Sequence, residues 1–143
     1  MKIFAKQMSL VCLKQNIKCL AKKYGVSRVT YNSRGIYVDG TYHTKTKVIY
    51  ICSKLTKIRI LQTFFHEFAH HIACKRGWWK LYHFSTTINT EAAFRVENKI
   101  DRLARKLWCK YVDSKIWGKY HFAYLVKNKQ EHIKILNTYY GLD

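Results

Sequence analysis

The sequence predicts an α+β fold in a single domain spanning residues 1–143. Three observations carry that expectation. Two long stretches, 56–77 and 90–111, repeat apolar residues at three- and four-residue steps, the mark of helices with a buried face. Between Val26 and Cys52 the pattern shortens to alternation, and β-branched and aromatic residues dominate. Apolar residues make up 48% of the 143-residue chain, with seven Phe, four Trp and eleven Tyr, enough to build a core.

Residues 3–24 read as an amphipathic N-terminal helix. Ile3, Leu10, Leu13, Ile17, Leu20 and Tyr24 mark one face, lysines fill the other, and Gly25 ends it. Val29 and Tyr31 then alternate, and Asn32-Ser33-Arg34-Gly35 makes a turn. Ile36-Tyr37-Val38 follows, Asp39-Gly40 signals a second turn, and Val48-Ile49-Tyr50-Ile51-Cys52 closes the region. A small antiparallel sheet of about three strands is expected. Ser53 or Thr56 can cap the next helix, in which Ile58, Leu61, Phe65, Phe68 and Ile72 form a stripe and Gly77 is the stop.

From Trp78 to Asn89 no period is visible, and the segment reads as a loop with Trp78, Trp79 and Tyr82 partly packed. A second strong helix begins near Thr90, with Thr87 or Asn89 as cap, and runs to about Tyr111. Val96, Ile100, Leu103, Leu107 and Tyr111 form its core stripe. One or two short C-terminal helices are expected from Val112 onward, with breaks near Gly118 and Asn128 and an end at Gly141.

The chemistry concentrates in His66-Glu67-Phe68-Ala69-His70, an HExxH on the first long helix. Residues four apart share a helix face, so His66 and His70 can present two imidazole nitrogens to one metal ion. Glu67 lies beside that face, where a carboxylate can take a proton from a metal-bound water. The pattern fixes only three positions, and two buried histidines can equally be hydrogen-bonded core residues. A third ligand decides between the readings, because catalytic zinc usually has three protein ligands and one open position.

His83, Glu91 and Glu97 are the candidates. A third histidine soon after the motif is absent, since that stretch reads Ile72-Ala73-Cys74-Lys75-Arg76. Glu97 is favoured because its helix can lie against the motif helix, and Asp101 follows one turn later on the same face. A carboxylate there can hydrogen-bond the outer nitrogen of a ligating histidine. Glu91 has Arg95 in the equivalent place and is accounted for by the helix N-terminus.

Charge is the other unusual property. Twenty-seven Lys and Arg against eight Asp and Glu give a formal net charge of +19. Residues 1–65 carry thirteen basic residues and one acidic residue, Asp39, whereas Glu67, Glu91, Glu97 and Asp101 all fall between residues 66 and 101. A scarce residue type gathered around the motif is the distribution a site would produce. The basic remainder suits a nucleic acid or other polyanion partner. Five cysteines form no CxxC pair and are read as reduced core thiols of a cytoplasmic protein. The N-terminus lacks the pattern of a signal peptide, and no apolar run approaches membrane-spanning length.

His66-Glu67-x-x-His70 followed by Glu97-x-x-x-Asp101-Arg102-Leu103-Ala104 resembles the gluzincin zinc metallopeptidases. The likeness is greatest to the minigluzincins and the ImmA/IrrE peptidases, and covers about residues 36–108. The residues after Glu97 depart from the alanine and asparagine usual in ImmA/IrrE. SprT-type proteases are less similar, since they would need a third histidine. The resemblance implies a zincin-like domain with the HExxH helix packed on the glutamate-bearing helix. It implies Zn2+ held by His66, His70 and Glu97, Glu67 as general base, and Asp101 behind a ligating histidine.

It further implies a peptide or protein substrate laid along a rim strand, for which Val48-Ile49-Tyr50-Ile51 is the expected segment. A second oxyanion donor should come from His83, Tyr111, Tyr120 or His121. In small members the cleft can be self-blocked, here by the tail after Val112. The alternative function is a basic nucleic-acid-associated protein that keeps a zincin scaffold with weak or no proteolysis.

Overall fold

The computed structural model describes residues 8–32, 39–78 and 90–120, and of residues 90–94 the backbone only. Helix α1 (Leu10–Lys23) begins where Ser9 accepts a hydrogen bond from the Cys12 N–H at 3.2 Å. This cap starts the described helix later than the apolar period alone suggests. Leu13, Ile17, Leu20 and Ala21 are buried on one face, and Gly25 leaves the helix at φ 87°. That left-handed conformation is unfavourable for residues with a Cβ.

Three strands follow: β1 (Arg28–Asn32), β2 (Gly40–His43) and β3 (Val48–Cys52). Their order in the sheet is β1-β3-β2. β2 and β3 form an antiparallel hairpin in which Gly40 faces Ile51 and His43 faces Val48. β1 runs parallel to β3, from Arg28 opposite Val48 to Asn32 opposite Cys52. The sheet is therefore mixed, not antiparallel throughout.

Hydrogen bonds at both ends show why. The Ser27 N–H donates to Lys47 O at 2.8 Å and the Ser27 hydroxyl to Thr46 O at 2.5 Å, placing the start of β1 beside the start of β3. At the far end the Ser53 N–H donates to Asn32 O at 3.0 Å. Alternation in a sequence reports which residues share a face and is silent about strand direction. Gly40, expected in a turn, instead opens β2, and Ile36-Tyr37-Val38 lies outside the described residues.

Helix α2 (Lys57–Lys75) is capped by Thr56, which accepts from the Arg59 N–H at 3.3 Å. Every residue from Ile60 to Ala73 is buried. It is the central element, packed against α1, β2, β3 and α3 (Thr90–Tyr111). The apolar stripe seen in sequence covers only part of this circumference. Gln62, Thr63, His66, Glu67, His70 and His71 supply the rest of a fully enclosed surface. Phe64 and Phe68 stack at 5.3 Å, and Phe65 meets Trp108 of α3 edge-on at 5.7 Å. Such aromatic pairs add roughly 0.5–1.5 kcal/mol beyond the area they bury.

Asp113 caps the short α4 (Ser114–Trp117), accepting from the Lys115 N–H at 3.0 Å. The Trp108 indole N–H donates to Gly118 O at 3.0 Å and draws the chain back against α3. Among the described residues no helix is long and apolar enough to cross a membrane. The cysteines form no disulfide, and the expectation that they are core thiols is not met. Cys12, Cys19 and Cys109 are exposed on the outward faces of α1 and α3, and Cys52 and Cys74 are half-buried.

Candidate metal centre

The α2–α3 contact brings together His66, His70 and Glu97, all buried, with ligand atoms within 4.8 Å of one another. His66 Nε2 lies 2.7 Å from Glu97 Oε2 and 3.2 Å from His70 Nε2. His70 Nε2 lies 3.4 Å from the same glutamate oxygen. Three donor atoms from two helices thus converge on one point. This group could hold a metal ion.

The donor set and its spacing fit a tetrahedral ion. Metal–ligand distances of 2.0–2.1 Å in a tetrahedron imply donor separations of about 3.4 Å. The His66–His70 and His70–Glu97 separations match that edge. The His66–Glu97 separation is shorter because these two groups hydrogen-bond directly.

Asp101 completes the arrangement from behind. Its Oδ1 accepts from His66 Nδ1 at 2.5 Å and from the Tyr120 hydroxyl at 2.9 Å. Asp101 is wholly buried and Tyr120 is 3% exposed. With its Nδ1 proton committed to Asp101, His66 directs Nε2 toward Glu97 and His70. The Glu97/Asp101 pair, four residues apart and mutually repulsive in isolation, brackets this imidazole.

The electrostatics follow from that bracket. Burial disfavours a charge on His66, but the Asp101 and Glu97 carboxylates more than offset it and raise its pKa well above the usual value. Glu97 shows the converse. Burial would raise its pKa, yet the adjacent His70 and His66 hold it well below the ordinary carboxylate range. Glu67 is pushed up by burial, against the lowering effect of the two histidines. One buried carboxylate is thereby kept anionic, while its neighbour on α2 is biased toward holding a proton.

No family model, curated protein or solved structure matches this chain.

The structure brings His66, Glu67, His70, Glu97 and Asp101 to one place. His83, His121 and the side chain of Glu91 lie outside the described residues, as does the tail beyond Tyr120. Two of the expected oxyanion candidates are otherwise engaged. Tyr120 is bound to Asp101 behind the histidine. Tyr111 hydrogen-bonds the Tyr24 hydroxyl, fourteen residues and about 21 Å along α3 from Glu97.

The expected rim strand is also corrected. β3 lies between β1 and β2 with both its edges paired. Among the described residues β2 is the outer strand on the side that packs against α2. A Cβ on Gly40 would fall 2.6 Å from Thr63 Cγ2, 2.7 Å from Tyr50 O and 3.4 Å from Glu67 Cγ. Thr63 and the Tyr50 carbonyl leave no room for a side chain at this position, which also borders Glu67. The Asp-Gly dipeptide read as a turn signal concealed this role. Tyr120 had no recognisable motif, because its partner lies nineteen residues earlier on another element.

Proposed function

We propose that this protein is a zinc-dependent metallopeptidase of the gluzincin type, with Zn2+ held by His66, His70 and Glu97. The observation that carries this reading is the buried convergence of those three ligand atoms, with Asp101 hydrogen-bonded to His66 and Glu67 alongside. When bound, zinc supplies Lewis acidity, which acidifies water and polarises a peptide carbonyl oxygen. Glu67 accepts the proton of the attacking water and returns it to the leaving amine. Burial raises its pKa, which makes it a stronger proton acceptor than an ordinary surface carboxylate.

Asp101 and Tyr120 hold the His66 ring in one tautomer and orientation throughout. Gly40 lets β2 pack closely on Thr63 of α2, one turn before Glu67, and an extended peptide pairing with that outer strand would run past the catalytic carboxylate. We assign the substrate-binding edge to β2 on this basis.

The test uses purified protein loaded with one equivalent of zinc and an unstructured protein substrate. Glu67→Gln is expected to retain zinc and lose peptide hydrolysis by at least about a hundredfold, the usual contribution of a general base. Unchanged cleavage by Glu67→Gln would remove it from the chemistry.

A further inference from the structure

Helix α3 carries two chemistries on opposite faces. Glu97 and Asp101 point inward to the candidate metal centre. Half a turn around the helix, Arg95, Lys99, Arg102, Lys106 and Lys110 recur at three- and four-residue steps, and all are exposed. Over the fifteen residue steps from Arg95 to Lys110 this row extends about 22 Å. Lys99 Nζ lies 4.7 Å over the Trp78 ring, which restrains one of its cations in position.

Carboxylates among the described side chains do little to neutralise the row. Among the described side chains the acids are Asp39, Glu67, Glu97, Asp101 and Asp113. Glu67, Glu97 and Asp101 are buried in the site, Asp39 is paired with Arg59 at 2.6 Å, and Asp113 caps α4. Among the described residues, folding thus withdraws most of the acidic charge into the interior and leaves their outer surface more strongly cationic.

The row's composition selects among polyanionic partners. A helix that binds an anionic membrane surface needs large apolar side chains to enter the lipid. A specific protein interface needs an apolar or aromatic centre. The exposed large hydrophobic side chains of the described residues are Leu10, Val11 and Ile116, none of them on α3. A straight row of Arg and Lys without apolar anchors matches the requirements of phosphate contacts.

We propose that the outer face of α3 docks on the phosphate backbone of duplex nucleic acid. Binding there is independent of base sequence and leaves Glu97 and Asp101 on the opposite side of the helix. The proposal does not rest on the metal site, and a metal-free protein is expected to bind equally well.

The test measures binding of the full chain to a random-sequence DNA duplex as salt is raised. The comparison is between two variants of equal charge loss. One is the α3 variant Arg95→Gln/Lys99→Gln/Arg102→Gln/Lys106→Gln. The other changes exposed cations elsewhere, Lys18→Gln/Lys22→Gln/Lys23→Gln/Arg28→Gln. Each phosphate contact contributes about −0.9 to the slope of log affinity against log salt, so the α3 variant should lose roughly 3–4 units of slope. It should also bind at least about tenfold more weakly than the other variant at moderate salt.

Alkylation of the wild-type protein gives a second readout that does not depend on the variants folding. Cys109 lies within the α3 row and Cys19 on α1, and both are exposed. DNA should slow alkylation of Cys109 and leave Cys19 unaffected. Equal weakening by the two variants, or equal protection of both thiols, would overturn docking on α3. Absence of binding at low salt would overturn it as well, and so would displacement of DNA by polyglutamate at equal charge concentration.

Discussion

His66 and His71 sit on the same helix, each about 1% exposed, and they are held in opposite ways. His66 has a carboxylate at each ring nitrogen, Asp101 at Nδ1 and Glu97 at Nε2. His71 has the Tyr42 hydroxyl at Nδ1 and the Tyr24 carbonyl at Nε2, both at 2.7 Å, with Phe68 stacked against its ring. Burial lowers the pKa of His71, and Lys75 and Lys47 add to that effect against the Tyr24 hydrogen bond. Carboxylates raise that of His66. His71 is therefore a neutral ring that donates to Tyr24 and accepts from Tyr42. It has used both nitrogens on structural partners, whereas His66 faces the Glu97 carboxylate and a second histidine. Burial of an imidazole does not make a metal ligand; the arrangement of its neighbours does.

Replacing each ring separates the two roles. His66→Ala is expected to abolish stoichiometric zinc binding, measured by metal analysis after gel filtration. His71→Ala should retain zinc and lose roughly 2 kcal/mol of stability, because it leaves the Tyr42 hydroxyl without its His71 partner and the Tyr24 carbonyl with Lys75 alone, at 2.9 Å. Denaturant unfolding of zinc-free protein measures that loss. Retention of full zinc by His66→Ala, or loss of zinc by a folded His71→Ala, would erase the distinction.

A smaller effect is expected one layer further out. Asp101→Asn keeps the side-chain shape and removes the charge behind His66, which should weaken zinc binding by roughly 10–100-fold. Tyr120→Phe removes the Tyr120 hydrogen bond to Asp101 Oδ1 and should weaken it less, by roughly tenfold or below. Competition with a chelator gives both affinities. A larger loss for Tyr120→Phe than for Asp101→Asn would contradict the order of the chain Tyr120–Asp101–His66.

Much of this arrangement was legible in the sequence, for a physical reason. His66, Glu67 and His70 lie within one turn, and helix geometry alone places them on adjacent faces. Glu97 and Asp101 are likewise one turn apart, and a carboxylate-poor chain made their pairing conspicuous. What remained hidden depended on contacts between distant segments. The parallel pairing of β1 with β3 is set by Ser27 reaching Thr46 and Lys47. The placement of β3 in the middle of the sheet follows from that pairing and corrects the expected rim strand. Gly40 shows its purpose only when Thr63 and Glu67 are packed over it. The continuous burial of α2 was partly concealed because its polar residues interrupt the apolar stripe.

Protonation provides the subtlest separation. In metal-free protein, the raised pKa of His66 stabilises the fold fully below the unfolded value of about 6.5. That contribution fades as pH rises through the elevated folded value. The lowered pKa of Glu97 stabilises the fold above its unfolded value of about 4.5, and this fades as pH falls through the folded value. Zinc must displace the His66 proton, so its affinity should increase with pH. The rise in thermal midpoint on adding zinc is expected to be larger at pH 8 than at pH 6, by several degrees. An equal rise at both values would show that His66 gives up no proton to the metal.

The central claim is that one zinc ion is held by His66, His70 and Glu97, and X-ray absorption on the zinc-loaded protein tests it most directly. The expected spectrum shows about one zinc per chain with nitrogen and oxygen neighbours near 2.0–2.1 Å, including two imidazoles, and no sulfur. In Glu97→Ala the oxygen contribution should fall and the affinity collapse. Sulfur scattering near 2.3 Å, or failure of the wild-type protein to retain zinc, would contradict the account.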